Sequence, residues 1–95
     1  MRISARVDYA VRAAAELAVR SPDAAAGVTT RETLGDAQSI PAKYLESILA
    51  AMRRSGIVRS RRGNDGGYWL ARPADQVSIA DIIRAVEGPM ADVRG

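Results

Sequence analysis

Arginine is concentrated in one short stretch of the sequence. Residues 53–72 hold six arginines and one aspartate, a net charge of +5, whereas the whole 95-residue chain carries +3 and the other 75 residues therefore sum to −2. Grouped arginines can neutralise phosphates, and a local basic cluster is the usual electrostatic footprint of a polyanion-binding surface. The alternative is a basic face that is simply solvated.

A glycine-rich connection, Gly63-Asn64-Asp65-Gly66-Gly67, lies inside this cluster. It lacks the Gly-Lys-Ser/Thr ending of a nucleotide-binding P-loop and does not open a helix, so we do not expect that motif here. Glycines at a hairpin tip supply positive φ angles, and a tip of small residues can also approach DNA closely. Arg61 and Arg62 precede the tip, where a minor groove or a phosphate could accept them. We predict a DNA-contacting wing, with a purely structural hairpin as the alternative.

An amphipathic helix precedes the cluster. Pro41 suits its first position, where a missing N–H costs nothing, and Gly56 would follow its end. The apolar face of this helix consists of Leu45, Ile48, Leu49 and Met52. The opposite face consists of small or polar residues, which are Lys43, Glu46, Ser47, Ala50, Arg53 and Arg54. This face could therefore enter a groove of DNA.

Glu46 is unexpected on a basic face, because a carboxylate repels phosphate. A carboxylate that accepts a hydrogen bond from the exocyclic amine of cytosine would explain it. A solubilising surface residue would explain it equally well. Tyr44 also has two interpretations, the edge of the core or a donor to phosphate.

Composition argues against several functional classes. The chain has no Cys and no His, which removes disulfides, thiol and imidazole catalysis and the soft metal sites. No apolar run approaches the roughly 18–20 residues that span a bilayer, and the N-terminus lacks the apolar segment of a signal peptide. We expect a soluble cytoplasmic protein that is not an enzyme, with no cofactor, no metal and no membrane partner.

The first helix of the scaffold is predicted over about residues 4–20, with Ser4 as its N-cap. Its apolar stripe repeats at spacings of four and three and consists of Ile3, Val7, Ala10, Ala14 and Leu17. Such a stripe indicates a helix with one buried face.

A second, short helix is predicted over about residues 30–38. Thr29 and Glu32 form a capping-box pattern before it, and Leu34 and Ala37 would face inward. The turn that follows leads directly into the helix that begins at Pro41.

Two strands, over about residues 57–61 and 68–71, are predicted from β-branched and aromatic residues. Tyr68 and Trp69 alternate across the second strand, so one faces the core and one the surface. A last helix over about residues 78–87 has a capping-box pattern at Ser78 and Asp81. Its apolar face consists of Ile79, Ile82, Ile83 and Val86.

These elements predict a mainly α fold with a small β-hairpin (α+β), the winged helix-turn-helix, in a single domain of residues 1–95. The helix-turn-helix would occupy about residues 29–55, the wing about 57–72 and the following helix about 78–87.

Four segments resemble the Rrf family of bacterial winged-helix transcriptional regulators, over about residues 1–90. They are MRIS…DYAVRAAAELA, IPAKYLESIL, SGIVRSRRGNDGGYWLARP and SIADIIRAVEGP. The resemblance implies a homodimeric, sequence-specific transcription factor that binds a palindromic operator in double-stranded DNA, and we expect a repressor.

The resemblance also implies DNA-facing positions. Those on the recognition helix and the wing would be Pro41, Lys43, Glu46, Arg62 and Gly63. Those near phosphates at helix starts would be Arg2, Ser4 and Thr30. Together with neighbouring residues of the helix and wing, the predicted DNA-binding set is Arg2, Thr30, Pro41, Lys43, Tyr44, Glu46, Arg53, Arg54, Arg61, Arg62, Gly63 and Asn64.

Two features depart from the family pattern. Cluster-binding members carry three cysteines after the segment that matches Glu87-Gly88-Pro89, whereas residues 90–95 contain none. We therefore expect no iron–sulfur cluster in this chain. Family members also continue into a long dimerisation helix, so that these 95 residues would be a shortened or an incomplete chain.

A competing interpretation is a winged-helix interaction module whose basic face binds an acidic protein partner. The exposed face of the predicted recognition helix lacks a large apolar patch, which favours DNA over protein. A small hydrolase is a more distant alternative, because the chain has no His and no Cys.

Overall fold

A computed structural model describes residues 3–88, so the predicted phosphate contact at Arg2 lies outside the described residues, as do residues 89–95. Within that range the helices and strands are α1 Ala5–Arg20, α2 Arg31–Gln38, α3 Ala42–Arg54, β1 Val58–Arg61, β2 Gly67–Leu70 and α4 Ile79–Glu87. Short 3₁₀ turns occupy Ala24–Ala26 and Ala74–Gln76. The order of these elements confirms the mainly α fold with one small hairpin.

Helix α1 begins where the sequence predicts. The Oγ of Ser4 accepts a hydrogen bond from the backbone N–H of Val7 at 3.1 Å, which satisfies a donor that the helix itself leaves unpaired. The apolar stripe from Val7 to Leu17 is buried as predicted. Ile3 is 57% exposed, so its assignment to the stripe was wrong, because it precedes the cap and lies outside the helix.

The core forms where α1 packs against α2, α3 and α4. Ala10 and Ala13 of α1 are fully buried, and their small side chains allow neighbouring elements to approach closely. The predicted apolar face of α3 is buried in full, at Leu45, Ile48, Leu49 and Met52. Because this face is fixed in the core, the opposite face of α3 is directed outward. None of the helices within residues 3–88 is both long and apolar enough to cross a membrane.

Helix α2 starts one residue later than its predicted capping box requires. Thr30 is the N-cap, and its Oγ1 accepts from the N–H of Thr33 at 3.1 Å. The prediction that Thr29 caps this helix was wrong, because Thr29 is buried in a strand-like contact. Ala37 is exposed rather than inward, since Leu34 alone supplies the buried face of this short helix.

Strands β1 and β2 pair antiparallel, with Val58 opposite Leu70 and Arg61 opposite Gly67. Thr29 pairs with Tyr68 through two backbone hydrogen bonds of 2.9 and 2.8 Å. The loop between α1 and α2 therefore acts as a third strand at this position of the hairpin. Tyr68 packs on the core, which confirms that one of the two aromatic residues of β2 faces inward.

The same loop is held by buried hydroxyl groups. The Oγ of Ser21 and the Oγ1 of Thr29 are 2.7 Å apart, and both residues are buried. The carbonyl oxygen of Ser21 also accepts from the N–H of Leu70 at 3.0 Å. These contacts satisfy polar groups that would be costly to bury without partners.

Helix α4 confirms its predicted capping box. The N–H of Asp81 donates to Ser78 Oγ and the N–H of Ser78 donates to Asp81 Oδ2, each at 3.0 Å. Ile82 and Val86 are buried. Ile79 is 51% exposed, contrary to prediction, because the first turn of α4 lies at the rim of an open groove beside α1.

The cap of α4 makes stability depend on pH. The backbone N–H of Ser78 lowers the pKa of Asp81, and the Ser78 hydroxyl, Arg84 and Arg72 lower it further. A carboxyl whose pKa is depressed on folding stabilises the protein above its unfolded pKa of about 4 and stops doing so as pH falls through the folded value. We expect Asp81→Asn to lower the melting temperature at pH 7, and the difference from wild type to shrink below about pH 4. Thermal unfolding measured between pH 7 and pH 3 tests this, and a difference that is constant with pH would contradict it.

Candidate nucleic-acid interface

The outward face of α3 and the hairpin tip lie on one side of the molecule. Every predicted DNA-binding residue within the described range is exposed, namely Thr30, Pro41, Lys43, Tyr44, Glu46, Arg53, Arg54, Arg61, Arg62, Gly63 and Asn64. Exposure makes these residues accessible to a ligand.

A cleft of about 630 Å³ separates the start of α2 and the face of α3 from the hairpin. It brings together seven of the predicted residues, Thr30, Glu46, Arg53, Arg61, Arg62, Gly63 and Asn64. Pro41, Lys43, Tyr44 and Arg54 lie outside this cleft. Its charged lining has four guanidinium groups, at residues 31, 53, 61 and 62, against the carboxylates of Glu32 and Glu46. The cleft is therefore positive and suits an anionic ligand.

Arg31 was missing from the predicted set and lies in this cleft. It is the first residue of α2, and its Nη1 donates to Glu46 Oε2 on α3 at 2.9 Å. Its Nη2 is 3.9 Å from Glu32 Oε2. No local pattern in the sequence marks Arg31, because its contact with Glu46 joins two separate helices and depends on how they pack.

The start of α3 is held against α1 by an aromatic pair. The rings of Tyr44 and Tyr9 have centroids 5.2 Å apart and are tilted by 56°. The guanidinium carbon of Arg12 lies 4.9 Å from the centroid of Tyr9, and Arg12 Nη1 donates to the carbonyl oxygen of Gln38 at the end of α2. The ring of Tyr44 thus packs on Tyr9, which borders the core, while 42% of Tyr44 stays exposed beside α3.

The hairpin tip is closed by one side-chain and one backbone hydrogen bond. Arg61 Nη2 donates to the carbonyl oxygen of Asp65 at 3.1 Å, and the N–H of Gly66 donates to the carbonyl oxygen of Gly63 at 2.9 Å. A Cβ atom at Gly66 would lie 2.0 Å from the carbonyl oxygen of Arg61. Glycine is therefore required at this position by close approach of the backbone.

Two helices joined by a tight turn, with an apolar face buried and a polar face outward on the second, form a helix-turn-helix. Ser39 makes the turn in the left-handed region, at φ 52°. The arginine-bearing hairpin that follows α3 is the wing. The fold and the site together define a winged helix-turn-helix protein.

The chain belongs to the Rrf2 family, described as "Iron-dependent Transcriptional regulator", whose family model matches residues 3–94. This confirms the resemblance and the class of transcriptional regulators. Rv1287 of Mycobacterium tuberculosis, which carries the name of an HTH-type transcriptional regulator, is 47% identical over 95 residues, covering 99% of this chain and 56% of the relative. The HTH-type transcriptional regulator CymR of Bacillus subtilis is 33% identical over 93 residues, covering 98% and 65%.

Solved structures of relatives share the fold. The structure of CymR, the global cysteine regulator of B. subtilis, matches with a TM-score of 0.84 at 32% identity, covering 98% of this chain and 70% of that one. The structure of IscR from T. potens matches with a TM-score of 0.81 at 34% identity, covering 93% and 62%. The chain spans just over half the length of relatives such as Rv1287.

The family description names iron, and the residues present do not fit an iron site. Iron in clusters is held by thiolates, in some cases with imidazole, and the 95 residues contain neither Cys nor His. Among residues 3–88 no group of three or more carboxylates converges on a point where an ion could bind.

The close approach at Gly66 gives a test of the wing geometry. In Gly66→Ala the added methyl group overlaps the Arg61 carbonyl oxygen, so the tip must open and the protein should lose roughly 1–3 kcal/mol of stability. Asp65→Ala is the matched control, because Asp65 contributes to the tip through its backbone carbonyl, and little change is expected. Urea unfolding followed by circular dichroism measures both variants. Equal stability of Gly66→Ala and wild type would show that the tip is not closed in this way.

Proposed function

We propose that this chain is the sequence-specific DNA-binding domain of a transcriptional regulator. The observation that carries the proposal is the positive cleft, in which the outward face of α3 and the arginines of the wing point to one ligand. The domain would comprise residues 1–95, with the helix-turn-helix at about 29–55, the wing at about 57–72 and the following helix at about 78–87. Binding, and not catalysis, is the proposed activity.

Helix α3 is the proposed recognition helix. Its 13 residues span roughly 20 Å at 1.5 Å per residue, and the major groove is wide enough for an α-helix. Pro41 is the N-cap of α3, one position before its first residue, whereas the sequence predicted Pro41 as that first residue. Lys43 and Glu46 lie in its first half, and the start of this helix is the part that reads base edges in helix-turn-helix proteins. Arg53 and Arg54 lie in its last turn and are proposed to contact phosphates.

The wing is the proposed second contact. Arg62, Gly63 and Asn64 at the tip would enter or border the minor groove, where arginine responds to groove width and negative potential. Arg61 and, at the start of α2, Thr30 would lie near phosphates, as would Arg2.

We further propose a repressor that acts as a homodimer in the cytoplasm. One chain presents one recognition helix and one wing, so a two-fold pair of chains suits a palindromic operator with half-sites about one helical turn apart. Occupancy of such an operator would block a promoter. The names of the relatives support transcriptional regulation.

The first test of this function is the salt dependence of duplex binding. Neutralisation of about 4–6 phosphates per protomer predicts that log K falls against log salt concentration with a slope of roughly −4 to −5 for each bound protomer. This number of phosphates is based on the +5 charge of residues 53–72. Fluorescence titration at several salt concentrations measures the slope. A flat response, or no duplex binding at low salt, would rule out DNA as the ligand and favour an acidic protein partner.

A second test separates base reading from phosphate contact. If Glu46 reads a base, Glu46→Ala should relax preference at one operator position by roughly 1–3 kcal/mol. If Arg54 touches only the backbone, Arg54→Ala should weaken all sequences alike and reduce the salt slope by about 1. Selection from random DNA followed by titration compares the two variants. Tighter binding of every sequence by Glu46→Ala, with preference unchanged, would mean that the carboxylate is only a repulsive surface charge.

A further inference from the structure

We propose that Arg31 is a positioning residue, which holds the carboxylate of Glu46 in one orientation for reading a base and stays on Glu46 when DNA binds. The proposal rests on the DNA-binding function above and assigns a part of base specificity to a residue of α2. Arg31 would thus act through Glu46 without contacting DNA.

The contact joins two different helices. Arg31 Nη1 lies 2.9 Å from Glu46 Oε2, and the two residues are 15 positions apart in sequence. The second terminal nitrogen of Arg31 lies 3.9 Å from Glu32 Oε2. The guanidinium group is thus placed between two carboxylates, which offset its charge before a phosphate approaches.

The pair is poorly placed to stabilise the fold. The side chains of Arg31 and Glu46 are 40% and 71% exposed, and ion pairs this exposed contribute little to stability, because solvent screens them and two long side chains must be ordered. The contact is better suited to orienting Glu46, since an unpaired glutamate of this exposure would sample several rotamers. Pre-organising one rotamer removes that ordering cost from the binding step.

The chemistry of the carboxylate fits this role. Oε2 accepts from Arg31, which leaves Oε1 available to a second donor. The exocyclic N4 amine of cytosine is a donor in the major groove, and a carboxylate is the acceptor that suits it. The neighbouring guanidinium also offsets the repulsion that Glu46 would exert on nearby phosphates. Charge and orientation are therefore supplied by one side chain.

A direct phosphate contact by Arg31 predicts different measurements. If Arg31 left Glu46 to bind phosphate, Arg31→Gln would reduce the salt slope by about 1 and would weaken all sequences alike. If Arg31 stays on Glu46, Arg31→Gln would relax preference at the base that Glu46 reads and would leave the slope unchanged. Base preference and salt slope therefore distinguish the two roles.

The experiment uses the 95-residue chain and a duplex selected from random DNA by the wild type. Affinities are measured at several salt concentrations for that duplex and for duplexes changed at one position each. The variants are Arg31→Gln, Arg31→Lys, Glu46→Gln and the double variant Arg31→Gln/Glu46→Gln. Glu32→Gln is the matched control, because it removes a carboxylate near the same guanidinium but on α2.

We expect Glu46→Gln to lose discrimination at one position by roughly 5- to 100-fold. Arg31→Gln should lose discrimination at the same position by a measurable but not larger factor. The double variant should lose no more than Glu46→Gln alone, because the two residues act as one unit. Arg31→Lys should recover part of the discrimination, since an ammonium group also donates to a carboxylate. Glu32→Gln removes a negative charge from the cleft, so it should bind every duplex more tightly but keep the base preference of the wild type.

Several results would overturn the proposal. One is that Arg31→Gln reduces the salt slope by about 1 and keeps the base preference of the wild type. Another is that Arg31→Gln changes base preference at a different position from Glu46→Gln. A third is that Arg31→Gln leaves base preference unchanged. In each of these the wild type still binds its selected duplex, so the proposed function survives. Failure of the wild type to bind or to prefer any duplex would overturn both. The helix signal in far-ultraviolet circular dichroism of each variant checks that the fold is retained.

Discussion

The antiparallel contact between Thr29 and Tyr68 is the constraint on which the functional surface depends. Two strands of four residues each are marginal as an isolated hairpin. Strand β2 is held on its other edge by two backbone hydrogen bonds to Thr29, and Gly67 allows this approach, since a Cβ atom there would lie 2.7 Å from the Thr29 carbonyl oxygen. Because Thr29 directly precedes the N-cap of α2, the same contact places the wing beside the helix-turn-helix.

The resulting surface combines a fixed structural frame with exposed side chains that can be replaced without loss of the fold. The frame consists of backbone hydrogen bonds and of the apolar face of α3, whose residues are fully or almost fully buried. The chemistry resides in exposed side chains of α3 and the wing, which the core does not require. This separation allows the exposed side chains to differ while the fold stays the same.

Much of the fold could be predicted from the sequence, because its signals are local. Ser4 and Ser78 cap their helices as their patterns indicate, and the stripe of α3 follows from spacing alone. Two adjacent threonines made the start of α2 ambiguous by one residue, and only the strand contact of Thr29 decides between them. Ile3 and Ile79 have the right spacing but lie at helix ends, where periodicity does not report whether a neighbour covers the side chain. The pairs Arg31–Glu46 and Tyr9–Tyr44 join separate elements, and their contacts depend on packing that no local pattern encodes.

The cluster around Arg12 has a mechanical consequence. Tyr9 and Arg12 lie on adjacent positions of one face of α1, and they touch the start of α3 and the last carbonyl of α2, on either side of the turn. Since α1 contacts both α2 and α3 next to the turn, we expect a tilt of α1 to move these two helices together and to leave the turn between them unchanged. In the proposed homodimer, a change in the angle of α1 would therefore alter the separation of the two α3 helices, while each helix-turn-helix keeps its internal shape.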